Sequence, residues 1–420
     1  MFLTPKNMIV VTMRNPGLNR RMPKIKDLLQ LMRFRKFMPR RTDRLLSRAF
    51  TIYDLRDIAK KRTPQGPFDY TDGGADQEIA IQRARDSFQS IQFMPSVLRD
   101  VSEVNLTQQV LGRETRMPVG IAPTGFTRMM HSEGEIAGAM AAEAFGIPFT
   151  LSTMGTRSIE EVAAAAPNGR NWFQLYMWKE RDRSMALVDR AAKAGFEALV
   201  MTVDVPVAGD RLRDKYNGLT IPPALSLRTL VNAAPRVGWW WNFLSTDPLK
   251  FASLDSWNGT VAELLDSMFD PTVTFEDLKW IRKQWSGKLI VKGIQNVEDA
   301  MAASKAGADA VMLSNHGGRQ LDKAPVPFKL LPEVSKKLGK DVEVFIDSGI
   351  MHGADIVAAI ARGASFTMVG RAYLYGLMAG GRQGVDATFS ILNQQMIRTM
   401  KLLGVRELSE LRPHHVADYK

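Results

Sequence analysis

The chain reads as an α/β protein, a (β/α)8 barrel of the TIM type with an N-terminal helical extension and a long loop after its fourth strand. Three observations predict it. From Met117 onward, short continuous apolar runs recur, and there are eight of them. Helix-period stretches separate them, which is the pattern of a parallel sheet covered on both faces. No Gly-x-Gly-x-x-Gly follows any run, which counts against an open nucleotide-binding sheet. Eight such units in roughly 250 residues favour closure into a barrel.

In chain order, residues 1–48 form a basic extension and residues 49–420 the barrel unit. Within that unit, residues 49–116 are expected to form helices packed on the barrel, with 100–111 closing its bottom. The strand candidates are 119–122, 149–152, 172–176, 198–203, 289–292, 310–314, 344–347 and 366–370. Helical patterns lie between them at 133–145, 158–166, 181–194, 275–284, 297–306 and 354–361. The connection after the fourth strand is abnormal, with an inserted loop at about 207–273. It holds Pro222-Pro223, Trp257 and the run Trp239-Trp240-Trp241-Asn242-Phe243-Leu244. Long loops on the C-terminal face of a barrel serve as lids or binding surfaces. Adjacent tryptophans suit either a lid's own core or a bilayer interface.

Composition narrows the chemistry. With 45% hydrophobic and 24% charged residues the chain has the make-up of a globular protein, and no apolar run reaches membrane-spanning length. There are no cysteines, so disulfides, thiolate–metal sites and a cysteine nucleophile are excluded. Five histidines make a multi-histidine metal centre hard to assemble, and no metal is expected. The apolar stretch 8–11 is too short for a secretory signal.

Of the net charge of +12, residues 1–48 carry +11, from thirteen Lys/Arg against two acids. Leu28, Leu29, Leu31, Met32, Phe34, Phe37 and Met38 are interleaved with these charges. Basic and apolar residues at this density suggest peripheral contact with an anionic membrane. A flexible solubilising arm, or one that docks on a neighbouring subunit, is the plainer reading. Nucleic acid would suit the charge, but nothing else supports it, and no nucleic-acid partner is expected.

Barrel chemistry sits at strand C-termini, and here each tip is polar. In order they read Ala122-Pro123-Thr124-Gly125, Ser152-Thr153, Gln174-Leu175-Tyr176, Thr202-Val203-Asp204, Lys292-Gly293, Ser314-Asn315-His316, Asp347-Ser348-Gly349 and Gly370-Arg371. The last two supply backbone N–H groups and a guanidinium where barrels hold phosphates. The sixth tip continues as Ser314-Asn315-His316-Gly317-Gly318-Arg319-Gln320-Leu321-Asp322. It places an imidazole at a strand end and a guanidinium three residues on. A base beside a carboxylate clamp is what removing a proton from a 2-hydroxy acid requires.

This run and the other tips resemble the FMN-dependent 2-hydroxy-acid dehydrogenase and oxidase family from about Phe50 to the C-terminus. The stretches 172–178 and 370–381 are most similar to its flavin-dependent L-lactate dehydrogenases of bacterial respiratory type. The resemblance implies His316 as base and Asp204 as the carboxylate that orients it. It implies Arg211 and Arg319 as the clamp on the substrate carboxylate, with Tyr70 and Tyr176 offering hydroxyls to the substrate. FMN is the implied cofactor. Lys292 would sit near flavin N1 and O2. Ala122, Thr124, Ser152, Gln174, Thr202 and Ser314 would contact the ring or ribityl chain, and Asp347, Gly349, Gly370 and Arg371 the ribityl and phosphate end. The family is often tetrameric, so a homo-oligomer is expected.

Two positions depart from the family pattern. Met351 stands where a phosphate-binding arginine is usual, leaving His352 or Arg371 to supply that charge. Gly125 stands where alanine is common, which is expected to leave room above the flavin. No histidine occurs in residues 1–130, so those residues hold no paired-histidine haem module. The expected activity is FMN-dependent oxidation of L-lactate, or a near relative, to the 2-oxo acid. Electrons would pass to quinone on the inner face of the cytoplasmic membrane. An oxidase making hydrogen peroxide from O2 is the alternative within enzymes. A catalytically silent binding barrel is the alternative outside them, and the intact His316, Asp204, Arg211 and Arg319 set argues against it.

Overall fold

The computed structural model describes residues 24–32, 38–218, 234–249 and 268–419. Eight parallel strands close into a barrel: β1 (Val119–Thr124), β2 (Pro148–Ser152), β3 (Arg170–Leu175), β4 (Ala198–Thr202), β5 (Lys288–Ile294), β6 (Ala310–Leu313), β7 (Glu343–Ile346) and β8 (Phe366–Val369). Each strand pairs with its sequence neighbours, and β8 pairs with β1 to complete the ring. All eight expected strands are present.

Alternation along the strands sorts two cores. Trp172, Ala198, Val200, Ile290, Ala310, Met312, Phe345, Phe366 and Met368 fill the barrel interior. The residues between them, such as Phe173, Leu199, Met201, Val311 and Ile346, pack outward in the core that includes the helices. Both faces are apolar because both are covered, and the strands therefore read as unbroken hydrophobic runs. Gly120 belongs to the tight interior: a Cβ there would lie 2.9 Å from the Phe366 ring.

The helices begin where side chains satisfy their free N–H groups. Thr51 and Asp54 box the start of helix Ile52–Arg62, and Ser158 with Glu161 does the same for Ile159–Ala165. Helix Pro327–Leu338 fills the β6–β7 connection. After β8 comes a long helix, Arg371–Leu403, broken at Gly380 and Gly381, which packs against Ile52–Arg62.

The N-terminal segment serves both ends of the barrel. A hairpin, Gln108–Val110 with Arg113–Thr115, plugs the bottom by inserting Val110 and Leu111 into the interior cluster. Leu111 N–H donates to Glu343 (2.7 Å) and Arg170 donates to the Val110 carbonyl (2.8 Å). The preceding strand Ile91–Phe93 instead pairs antiparallel with Val416–Asp418. Helix Gln65–Asp72 reaches the opposite end and joins the site.

The connection after β4 is described for 203–218, 234–249 and 268–274. The tryptophan run forms a helix, Val237–Leu244. Pro222-Pro223, Trp257, Phe34, Phe37 and much of the basic extension lie outside the described residues. No described helix is long and apolar enough to cross a membrane. No group of three or more metal-binding side chains occurs among the described residues.

Candidate active site

The strand tips surround a cleft of about 900 Å³. Thirteen of the expected site residues line it: Tyr70, Ala122, Thr124, Ser152, Tyr176, Arg211, Lys292, His316, Arg319, Asp347, Gly349, Gly370 and Arg371. Asp204, Gln174, Ser314 and Thr202 are not at its surface. The first three hydrogen-bond to residues that are.

His316 follows β6 in a left-handed conformation (φ 57°), which costs a non-glycine residue about 1–3 kcal/mol. Its N–H is held by Ser314 Oγ at 3.0 Å. That hydroxyl also accepts from Lys292 Nζ (2.9 Å), so one serine positions both groups. His316 Nδ1 lies 3.0 Å from Asp204 Oδ1. This bond leaves Nε2 as the ring nitrogen free to take a proton. Burial pushes the Asp204 carboxyl up, but His316 and Lys292 outweigh it and hold it below its ordinary value. The base therefore has a permanent anion behind it.

Gly317 and Gly318 also have positive φ, and a Cβ on Gly318 would lie 2.9 Å from Ile81 N. That close approach lets Ala75 N–H reach the Gly318 carbonyl at 2.8 Å. The N-terminal segment is thereby tied to the histidine loop. Asp322, the end of the motif, accepts from Ala80 N–H (2.8 Å) and Gln77 N–H (3.2 Å), anchoring helix Ile79–Gln89.

Arg319 donates to the main-chain carbonyls of Tyr70 and Gly73. It has no carboxylate partner among the described residues. Burial first, and then the neighbouring Arg211 cation, lower it to about 10. Arg211 is paired with Asp214 (2.9 Å). The two guanidinium carbons stand 4.6 and 5.3 Å from the Tyr70 ring centre. Two cations gathered at one buried point on an aromatic ring make a seat for an anion. Burial, with Asp204 and Tyr70 adding, raises the Tyr176 hydroxyl, which keeps its proton.

Buried Lys292 lies 3.3 Å from Asp347. Burial opposes its charge, but Asp347 and Asp204 outweigh that and raise it. Ser348, also left-handed (φ 71°), donates to Asp347 (2.7 Å) and accepts from Gly317 N–H (3.1 Å). Thus β5, β6 and β7 are linked at their tips.

At the β7–β8 end the structure corrects one expectation. His352 caps helix Gly353–Ala361, its Nδ1 accepting from Ala354 N–H at 3.0 Å, and burial lowers its pKa. It is not among the residues that line the cleft, and the bond its Nδ1 accepts favours the neutral ring. The Arg371 guanidinium donates to the carbonyls of Thr71, Gly317 and Gly73. What Arg371 offers a phosphate is the start of the helix it opens. Gly125 leaves no spare room either: a Cβ there would lie 2.9 Å from Met154 Cβ.

Sequence reasoning missed Arg85, which lines the same cleft from helix Ile79–Gln89. It donates to the Gly349 carbonyl (2.6 Å) and pairs with Asp355 (2.5 Å), and its Nε is buried without a partner among the described residues. It also missed Asp72, which joins Arg56 (2.5 Å), Tyr375 (2.7 Å) and Arg213 (3.0 Å) beside the cleft. Burial opposes ionisation of Asp72, but Arg56 and Tyr375 outweigh it and hold the carboxyl at about 2. No local pattern marks these residues, because their partners are far away in the chain.

The residues fit a flavin. Gln174 Nε2 and Thr202 Oγ1, at the ends of β3 and β4, are buried donors with no partner among the described residues. A flat ring edged with carbonyls and nitrogens can accept from both. The Lys292 ammonium suits the edge of such a ring where negative charge develops on reduction.

A closed barrel with an imidazole–carboxylate pair, an anion seat and unsatisfied donors at its tips defines a flavin-dependent oxidoreductase. The chain belongs to the FMN-dependent dehydrogenase family, whose model matches residues 59–418. A Mycobacterium tuberculosis protein provisionally named an L-lactate dehydrogenase is 59% identical over 404 residues, covering 96% of this chain and 98% of that one. An L-lactate dehydrogenase of Vibrio cholerae is 38% identical over 365 residues, 85% of this chain and 96% of its own. A crystal structure of the monotopic membrane protein (S)-mandelate dehydrogenase matches with a TM-score of 0.84 and 37% identity, covering 88% of this chain and all of that one. The enzyme is thus an oxidoreductase with FMN as cofactor.

Proposed function

We propose that the enzyme oxidises L-lactate, or a closely related L-2-hydroxy acid, to the 2-oxo acid. The observation that carries this reading is the buried Arg319, without a carboxylate partner among the described residues, in the same cleft as the His316–Asp204 pair. The substrate carboxylate binds Arg319 and Arg211. The hydroxyls of Tyr70 and Tyr176 orient the substrate's oxygen. His316 Nε2 takes the proton, and Asp204 stabilises the imidazolium that forms. FMN, when bound, supplies the two-electron acceptor. Ala122, Thr124, Ser152, Gln174, Thr202, Lys292 and Ser314 would hold its ring and ribityl chain. Asp347, Gly349, Gly370 and Arg371 would hold the ribityl and phosphate end.

The names of the relatives support lactate, and that of the structural neighbour a related 2-hydroxy acid. Anaerobic flavin bleaching with a panel of L-2-hydroxy acids tests the reading. If L-lactate bleaches the flavin no faster than a D-acid, the substrate assignment fails.

The proposed electron acceptor is a membrane quinone, with the enzyme peripheral on the inner face of the cytoplasmic membrane. Residues 1–48 would act as a basic attachment arm. Support comes from the +11 charge of that arm and from helix Val237–Leu244. Val237, Trp241 and Leu244 share one face of it and are 71–74% exposed. Sedimentation with anionic vesicles, with and without Trp241→Ser, tests attachment. Turnover rates with a quinone and with O2 separate a dehydrogenase from an oxidase.

A further inference from the structure

A second cavity, of about 300 Å³, shares no lining residue with the cleft that holds His316. Four elements bring cations to it. Arg41 opens helix Arg41–Leu46, Lys61 and Arg62 end helix Ile52–Arg62, Arg128 lies in helix Thr127–Met130, and Arg236 precedes helix Val237–Leu244. No Asp or Glu occurs among its described lining residues. Its apolar wall includes Trp239 and Phe243, whose rings stack at 4.9 Å.

The cations are poorly compensated. Arg128 is only 6% exposed; among the described residues its guanidinium reaches just the main-chain carbonyl of Asp247, and its buried Nε has no partner. Arg62 makes one side-chain hydrogen bond among the described residues, to Thr42 Oγ1 (2.9 Å). Among the described residues Arg41, Lys61, Arg62 and Arg128 form no ion pair. Burial lowers the pKa of both Arg62 and Arg128, and a neighbouring arginine, Arg41 and Arg157 respectively, lowers each further; Asp247, Glu135 and Glu161 act the other way on Arg128 but do not offset its burial. A helix C-terminus accounts for Lys61 and Arg62, where cations are favoured. It does not account for Arg41, which stands at a helix N-terminus, nor for a buried arginine that makes no ion pair among the described residues.

The helix that walls this cavity with Trp239 and Phe243 turns Val237, Trp241 and Leu244 outward to solvent. An anion seat beside an exposed apolar face matches a molecule with a phosphate head and acyl chains. We propose that this cavity binds the phosphate group of an anionic membrane lipid, Arg41, Lys61, Arg62 and Arg128 holding the head while the outer face of helix Val237–Leu244 meets the chains. This rests on the membrane attachment proposed above and gives it a specific site.

The test is calorimetric titration of the FMN-loaded enzyme with dihexanoylphosphatidylglycerol below its micelle concentration. Dihexanoylphosphatidylcholine and inorganic phosphate are the comparison ligands. Saturable binding of the phosphatidylglycerol is expected, weakened about 30-fold in Arg41→Gln/Arg62→Gln, on the scale of two charges at an anionic surface. Unchanged flavin content and flavin reduction show that this variant is folded. Equal affinity for phosphatidylcholine, or no loss in the double variant, overturns the site. Inorganic phosphate binding as tightly as the lipid makes it a free-phosphate site and overturns the lipid assignment. If the enzyme sediments with anionic vesicles yet binds no soluble lipid, attachment stands and this site falls. If it binds the soluble lipid but does not sediment, the site stands and attachment falls.

Discussion

His316 and Asp204 meet at 3.0 Å although they rise from strands that are not neighbours, β6 and β4. The contact passes across the tip of β5, where the pairing with β6 shifts register between Lys292 and Ile294. Gly293 sits in that irregularity with φ 107°, and a Cβ there would lie 2.7 Å from Asp204 Cβ. A base and its carboxylate are thus joined through a gap that only glycine leaves.

His316→Gln is expected to retain FMN and to slow flavin reduction by L-2-hydroxy acids by ~10²–10⁴-fold, the usual worth of a general base. Asp204→Asn should fall within the same range, because the imidazolium loses its anion. Stopped-flow flavin bleaching reads both. Near wild-type bleaching in either variant shows that the pair is structural.

Gly293→Ala is expected to leave FMN in place and slow flavin reduction ~10²-fold. The new methyl displaces Asp204, and small misplacements of a catalytic group carry costs of that order. An unaltered rate would mean that the His316–Asp204 contact is not needed.

Arg319 carries a pH signature. Its pKa in the fold is about 10, below the ordinary 12.5, so the cation is disfavoured by the fold and an anionic ligand restores it. Binding of 2-hydroxyisobutyrate, which has no α-hydrogen to lose, should weaken as pH rises through 10. The same titration should be flat in Arg319→Gln, with affinity lower than wild type by about 1.5–3 kcal/mol below pH 10 and the gap closing above it. A wild-type affinity that does not fall across that range removes Arg319 from the carboxylate seat.

Arg85 is expected to replace the cation that Met351 does not provide. Arg85→Met should weaken FMN binding ~10–100-fold, the scale of a hydrogen bond to a charged group. Arg85→Lys should recover part of it, since charge without the planar fork is a partial substitute. Quenching of FMN fluorescence by the apoprotein measures both. Equal affinities in wild type and Arg85→Met would leave the helix start at Gly370-Arg371 as the phosphate's main support.

What the sequence determined by itself is the barrel and the composition of its rim. Eight buried parallel strands read as eight apolar runs because both of their faces are covered, and polar residues at each tip follow the runs directly. His316, Lys292 and Asp347 were legible as tip residues for that reason. Tertiary structure decided which tips touch. The Asp204–His316 contact depends on the register shift at Gly293, the turn of Arg371 toward three carbonyls on the return of residues 71–73 to the rim, and the role of His352 on the helix it caps. Arg85, Asp72 and the cationic second cavity combine side chains from elements remote in the chain. Local pattern reports burial and period. It does not report the direction in which a long charged side chain points once several elements compete to neutralise it.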